Sequence, residues 1–175
     1  MNETMHTLLH RRSIRQYNLN PIPDEVLNQI VLAGTYAPSA RNKQSAIILA
    51  VTNQEKRNFL SALNAKILNQ DPSIDPFYGA PVVLVVLADK NNPNRVYDGS
   101  LVMQNLMLAA ASFNVGSCWI HRAKEMFETA EGKEFLKQHH IPDHYEGIGN
   151  CILGYYDNPA PQAALRKENY IYWIR

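Results

Sequence analysis

Between Leu101 and Phe113 the chain runs LVMQNLMLAAASF, without a charged residue. A helix that is apolar nearly all round has to be buried on most sides. The run falls short of the ~18 to 20 apolar residues that cross a bilayer, so it belongs in a core or a subunit interface and not in a membrane. Its few polar neighbours, Ser100, Gln104, Asn105 and Ser112, share one broad sector with Leu101 and Leu108 at ~100° per residue. Asp98 reads as the N-cap, a short acceptor for the first free amides. Gly116 reads as the stop, and Ser117 to His121 as a short buried strand behind it.

Around this spine, helical spacing predicts a short helix over residues 3 to 10, with Met5, Leu8 and Leu9 on one side. A second starts near Pro23 or Asp24 and runs through Val26, Leu27, Ile30 and Val31 until Pro38 and SARNKQ break it. Ala46 to Val51 and Pro81 to Ala88 read as buried strands. Gln54 to Asn69 reads as an amphipathic helix. Residues 71 to 80, with prolines and Gly79, read as a loop suited to a mobile rim or lid. Lys124 to Gln138 gives one or two short helices, and Ile148 to Tyr155 a strand interrupted at Gly149. The tail combines Pro159 and Pro161 with Arg166-Lys167 and ends in the apolar run Tyr170 to Ile174, which needs cover and suggests a reach across another subunit.

Helices interleaved with about four strands predict an α/β or α+β sandwich around one sheet, a single domain over residues 1–175. A chain of 175 residues can bury roughly 70% of its unfolded surface. The net charge of +1 gives no bulk attraction to nucleic acid. Cys118 and Cys151 are too few and too far apart for a disulfide framework or a CxxC pair, and read as small buried hydrophobes. No signal-peptide segment opens the sequence, so a cytoplasmic protein is expected. His139, His140 and His144 surround Ile141-Pro142 in a polar loop, and no metal site is assigned to them.

Two segments could carry chemistry. In Arg11-Arg12-Ser13-Ile14-Arg15, an extended backbone would project residues 11, 13 and 15 to one side. Two guanidinium groups and a hydroxyl there suit a phosphate monoester; the plain alternative is a solvated basic turn. In Ala37-Pro38-Ser39-Ala40-Arg41-Asn42-Lys43-Gln44, small residues expose backbone amides beside amide side chains, which can bond the edge of a planar heterocycle. The plain alternative is an ordinary helix-to-strand connection. No GxGxxG follows a strand, and Gly147-Ile-Gly149 has the wrong spacing, so a nicotinamide would dock as a substrate without a Rossmann domain. GxSxG and HExxH are also absent.

Five motifs in order, RRSIRQY, APSARNKQ, GAPVVLVV, YDGSLVMQNLMLAA leading to GSCWI, and LGY before a basic tail, resemble the FMN-dependent nitroreductase family over essentially the whole chain. The resemblance implies an α+β nitroreductase-like sandwich, with a central, mostly antiparallel sheet flanked by helices, in an intertwined homodimer with FMN at the interface. Carried over by motif, Arg11, Ser13 and Arg15, with Arg12 beside them, would hold the FMN phosphate. Pro38, Ser39, Asn42 and Gln44 would lie at the flavin ring, as would the backbone at Ile120 and His121. Arg166 and Lys167 would reach the phosphate from the tail. Arg41, Lys43 and Arg122 depart from the family pattern; they could draw an anionic substrate or the phosphates of NADPH, or face solvent.

The activity implied is NAD(P)H oxidation through bound flavin to a nitroaromatic, quinone or similar small acceptor by a ping-pong route. The protein orients both substrates on the cofactor, so no side chain is an obligatory acid or base; His121 is the candidate proton donor. A flavin-binding sensor or carrier without efficient turnover is a competing reading, as is reductive dehalogenation on the same scaffold. Neither a nucleic-acid nor a membrane partner is expected.

Overall fold

The computed structural model describes residues 1–71 and 73–175. Its framework is one sheet of β1 (Ala46–Val51), β2 (Val82–Asp89), β3 (Gly116–Ile120) and β4 (Tyr145–Gly154), in the order β1-β2-β4-β3 with every neighbouring pair antiparallel. The described helices are α1 (Glu3–His10), α2 (Asp24–Thr35), α3 (Gln54–Ile67), α4 (Arg95–Ser112), α5 (Ala123–Glu128) and α6 (Ala130–Gln138).

β2 shows why the sheet lies at the centre. Seven successive residues, Val82 to Ala88, are buried. Alternate side chains point to opposite faces of a strand, so Val82, Leu84, Val86 and Ala88 join one core with Ile30, Met103 and Leu106 of α2 and α4. Val83, Val85 and Leu87 join the other, with Leu60 and Leu63 of α3 and Met126, Phe127 and Phe135 of α5 and α6. The result is the expected α+β sandwich, helices over both faces of an antiparallel sheet. Cys118 and Cys151 are free and buried, and burial pushes the Cys151 thiol up to about 12. No described helix is long and apolar enough to cross a membrane.

Four local expectations are corrected. α4 begins at Arg95 with Asn94 before it, so Asp98 lies inside the helix and does not cap it. Its stop is Asn114, left-handed at φ 55, because an Asn tolerates that conformation as glycine does. Gly116 instead opens β3, where a Cβ would stand 2.8 Å from Tyr156 Cδ1 and 3.1 Å from Gly154 O. Residues 73–80 are not a free lid: Asp75 accepts hydrogen bonds from Arg57, Ser61 and the amides of Phe77 and Gly79, and Phe77 is fully buried. Finally, β4 runs unbroken through Gly149, where the Trp119 indole fills the space of a side chain; the irregularity falls opposite Val86/Leu87.

Candidate functional site

RRSIRQY leaves α1 as an extended strand-like segment along the outer edge of β3. The Ile14 amide donates to Ser117 O at 3.0 Å, Ser13 pairs with Ser117 in a parallel bridge, and Ile14 is buried. Tyr17 locks the far end by donating its hydroxyl to Ile14 O at 2.7 Å; burial drives its phenol strongly upward. Ser13 and Arg15, together with Ile14, line a shallow recess with Tyr156 and Pro159.

Arg11 and Arg12 line a larger cavity of about 660 Å³ with His10, Gly116 and Ser117. Within it, Arg11 Nη1 and the Ser117 hydroxyl are buried and have no partner. A buried guanidinium nitrogen without an acceptor is costly, and its natural complement is an anion. Arg12 does different work: Nη1 folds back to the carbonyls of Leu9 at 2.8 Å and Arg11 at 2.7 Å, closing the end of α1. Arg12 Nε is likewise buried without a partner, so Arg11 Nη1, Arg12 Nε and the Ser117 hydroxyl are the free donors at this edge. Sequence reading missed Ser117 because GSCWI reads as a core strand; its only signal was a hydroxyl one residue before Cys118.

Three residues beyond Ser117, β3 ends at Ile120 and the exposed His121, roughly 10 Å further along the same edge at ~3.3 Å per residue. Arg122 then turns the chain into α5 at φ 75, a conformation glycine takes without penalty. Its guanidinium pairs with Glu125 at 2.8 Å, and that hydrogen bond holds the Glu125 carboxyl below its ordinary range. The Arg122 charge is thus already engaged within its own turn.

Residues 38–45 sit at the opposite edge, leading into β1. Arg41, Asn42 and Gln44 all have positive φ, at 55, 53 and 47. Such strain persists only where the surroundings over-determine it. Here the restraint is Asp98, 3% exposed, which accepts from the Ala40 amide at 3.0 Å, Ser45 Oγ at 2.7 Å and Asn92 Nδ2 at 3.0 Å. Ser39 Oγ adds a bond from the Gln44 amide, and Gln44 Nε2 donates to Asn42 Oδ1. The Asn42 and Gln44 side chains are exposed, while Pro38, Ser39 and Gln44 border a recess of about 330 Å³ with Asp98.

Register places the two sets at diagonal corners. Ser117 pairs with Leu153, and Leu153 with Val82; Ser45 adjoins Asp89. Three strand spacings and seven residues of strand separate them, roughly 14 Å across and 23 Å along the sheet. The two cavities share no residue. Arg166 and Lys167 belong to neither: they lie on an exposed tail, Arg166 bonding to Ala164 O and Lys167 lying over Tyr170. Within one chain, Arg11 and Ser117 share a cavity, and Ile120 and His121 follow along the same edge strand; Asn42, Gln44, Arg166 and Lys167 do not join them.

The nitroreductase family profile matches residues 8–155. The chain belongs to the nitroreductase family. A curated relative, the NADPH-flavin oxidoreductase of Vibrio harveyi, is 33% identical, with 94% of this chain and 71% of the relative covered. Among solved structures, a nitroreductase with bound FMN from Bacteroides fragilis superposes with a TM-score of 0.90 at 25% identity, covering 100% of both chains. A nitroreductase with bound FMN from Desulfitobacterium hafniense gives 0.89 at 26% identity, again with 100% of both covered. In this nitroreductase-family chain the donor set fits such a cofactor: a buried unpaired guanidinium nitrogen and a free hydroxyl suit a phosphate, and the β3 edge leads from them to an exposed backbone turn.

Proposed function

We propose that this nitroreductase-family protein is an FMN-dependent NAD(P)H oxidoreductase that passes electrons to a nitroaromatic, quinone or similar small acceptor, acting as a homodimer. The observation that carries the reading is the buried, unpartnered Arg11 Nη1 beside the free Ser117 hydroxyl. An FMN phosphate satisfies both at once. When bound, FMN supplies the hydride and electron chemistry, and the protein supplies binding, orientation and electrostatics.

Arg11 and Ser117 hold the phosphate from the β3 edge, with Ser13 and Arg15 on the adjoining recess. Ile120 and His121 present backbone to the ring, and His121, exposed at the strand end, is the group able to hand on a proton. Pro38, Ser39, Asn42 and Gln44 complete the ring pocket from a second copy, since their own corner of the sheet lies too far away. The tail bearing Arg166 and Lys167 reaches the neighbouring copy in the same assembly. A chain with no separate dinucleotide fold brings nicotinamide and acceptor to one face in turn, which is a ping-pong sequence.

The test begins with purification: a yellow protein that releases FMN on denaturation and is bleached by NADH or NADPH is expected. Arg11→Ala should weaken FMN binding about 10- to 100-fold, the loss of one charge-assisted contact of ~1.5 to 3 kcal/mol. Initial rates should give parallel double-reciprocal lines. A protein that takes up no FMN, or a variant with wild-type affinity, would overturn the assignment of the site.

A further inference from the structure

Two asparagines with no solvent exposure converge on the backbone that follows β3. Asn64 of α3 donates Nδ2 to the His121 carbonyl at 2.8 Å. Asn150, inside β4, donates Nδ2 to the carbonyls of Ile120 at 3.3 Å and His121 at 3.4 Å. Both amide nitrogens also lie against Met126 Sδ, at 3.3 and 3.5 Å, so they meet at one place in the core. Their own oxygens, Asn64 Oδ1 and Asn150 Oδ1, are buried without a partner.

A buried oxygen left unpaired is destabilising, but apolar side chains here would in turn leave the His121 carbonyl without its donors. Each asparagine thus carries an unpaired oxygen while placing a donor on the backbone after β3. What the residues share is the His121 carbonyl. In a trans peptide the following N–H points opposite to the carbonyl. With the His121 oxygen held inward by two donors, the Arg122 N–H faces outward, and it finds no acceptor among the described residues. The left-handed Arg122, at φ 75, is the strain this arrangement maintains.

We propose that Asn64 and Asn150 are positioning residues that fix the His121–Arg122 peptide with its N–H turned to the flavin and thereby set the reduction potential. This rests on the flavin reading above. Hydrogen bonds in series polarise one another, so two donors on the carbonyl strengthen the N–H on the other side of the peptide. Two-electron reduction at neutral pH adds negative charge to the ring, and a fixed positive dipole end favours that state. Without its inner partners the peptide can turn its carbonyl outward and oppose it.

The experiment compares FMN-loaded wild type with Asn64→Leu and Asn150→Leu by potentiometric titration against reference dyes, and follows hydrogen exchange of the 120–123 amides. Each variant should bind reduced relative to oxidised flavin about tenfold less well, a fall of about 30 mV in the two-electron potential, with faster exchange at Arg122. Asn53→Ala removes the side-chain cap of α3, which accepts from Lys56 N, and so destabilises the fold without touching the peptide; it should leave the potential unchanged. If a leucine variant does not fold, Asn64→Ala and Asn150→Ala, which leave room for water, are measured instead. Folded, FMN-loaded variants with the wild-type potential overturn the clamp alone. A wild type that takes up no FMN overturns the flavin reading and the clamp with it.

Discussion

Residues 38–45 and 157–175 both lack long regular structure, yet the chain treats them in opposite ways. The first is tied to its own helix by a buried carboxylate and held in strained conformations, with Arg41, Asn42 and Gln44 at positive φ. The second is exposed throughout. Past Asn158, which donates to Gln16 Oε1 at 2.8 Å, its described side-chain bonds and stacking contacts are local: Arg166 to Ala164, Lys167 over Tyr170, Arg175 over Trp173. Leu165 and Ile174 are each 98% exposed, and Trp173 75%. Apolar exposure on this scale is the feature that motivates the proposed cover by a second copy. The uncovered sector of α4, with Tyr97, Leu101 and Gln104, offers a second such surface. One segment is held by its own chain; the other makes few contacts with it and is the one we propose a neighbour covers.

The largest effect should come from removing the neighbour-dependent segment. Deleting residues 165 to 175 takes away Leu165 and the run Tyr170 to Ile174, none of which supports the folded chain by itself. A tail without a partner could be removed at no cost. If it spans a dimer, the truncated protein should aggregate or lose FMN and dimer together. Size-exclusion chromatography with absorbance at flavin wavelengths decides; a truncated protein that remains dimeric and yellow would show that the tail does not cross the interface.

The self-restrained segment should break at Asp98. Asp98→Ala leaves the Ala40 amide, Ser45 Oγ and Asn92 Nδ2 without their acceptor in a buried place. We expect a loss of about 2 to 4 kcal/mol in denaturant unfolding. The strained turn should relax with it, so hydrogen exchange should rise at residues 40–45 and stay at wild-type rates in β4. Equal protection at 40–45 would mean that Ser39 and β1 hold the loop without Asp98.

Why some of this was legible in sequence and some was not follows from range. β2 announces itself because seven consecutive apolar residues fit only a strand buried on both faces, a local pattern. The sector of α4 was only half legible: 100° steps placed Gln104, Leu101 and Leu108 together, but an apolar helix was expected to be buried on most sides, and within one chain Leu101 and Gln104 are exposed. Asp98 was misjudged because its partners lie 58 and 53 residues away, and an acidic residue near a helix start has a local explanation that is simpler. Asn64 and Asn150 left a fainter mark: each is an amide on an otherwise apolar face, Leu60-Leu63-Ile67 in one case and the Gly149–Leu153 strand in the other. Periodicity would flag them as buried, but only topology shows that they meet at His121. The phosphate set was half visible. Arg11 was found by motif, while Ser117 depends on the pairing of two segments 104 residues apart.

The smallest expected effect separates restraint as such from restraint at the site. Residues 73–80 are also tied by a carboxylate, Asp75, yet carry no site residue. Burial alone would raise the Asp75 carboxyl, but hydrogen bonds from Arg57, Ser61 and the Gly79 and Phe77 amides outweigh it and hold it below its ordinary value of 3.8. A carboxyl depressed in the folded state contributes stability that is fully present above its unfolded pKa and lost as pH falls through the lower, folded one. The Arg57–Asp75 pair, 2.6 Å apart with Asp75 34% exposed, is partly screened by solvent, so about 1 kcal/mol is expected. Asp71, Glu125 and Glu131 are depressed as well, and for that reason the informative quantity is the gap between wild type and Asp75→Asn, not the acid curve of either alone. That gap should be constant from pH 7 to about 5 and close below about 4, while FMN affinity at neutral pH stays at the wild-type value. A gap that persists in acid would show that the side-chain amide fails for reasons of shape and not of charge. A fall in FMN affinity would join this loop to the site and erase the contrast with residues 38–45.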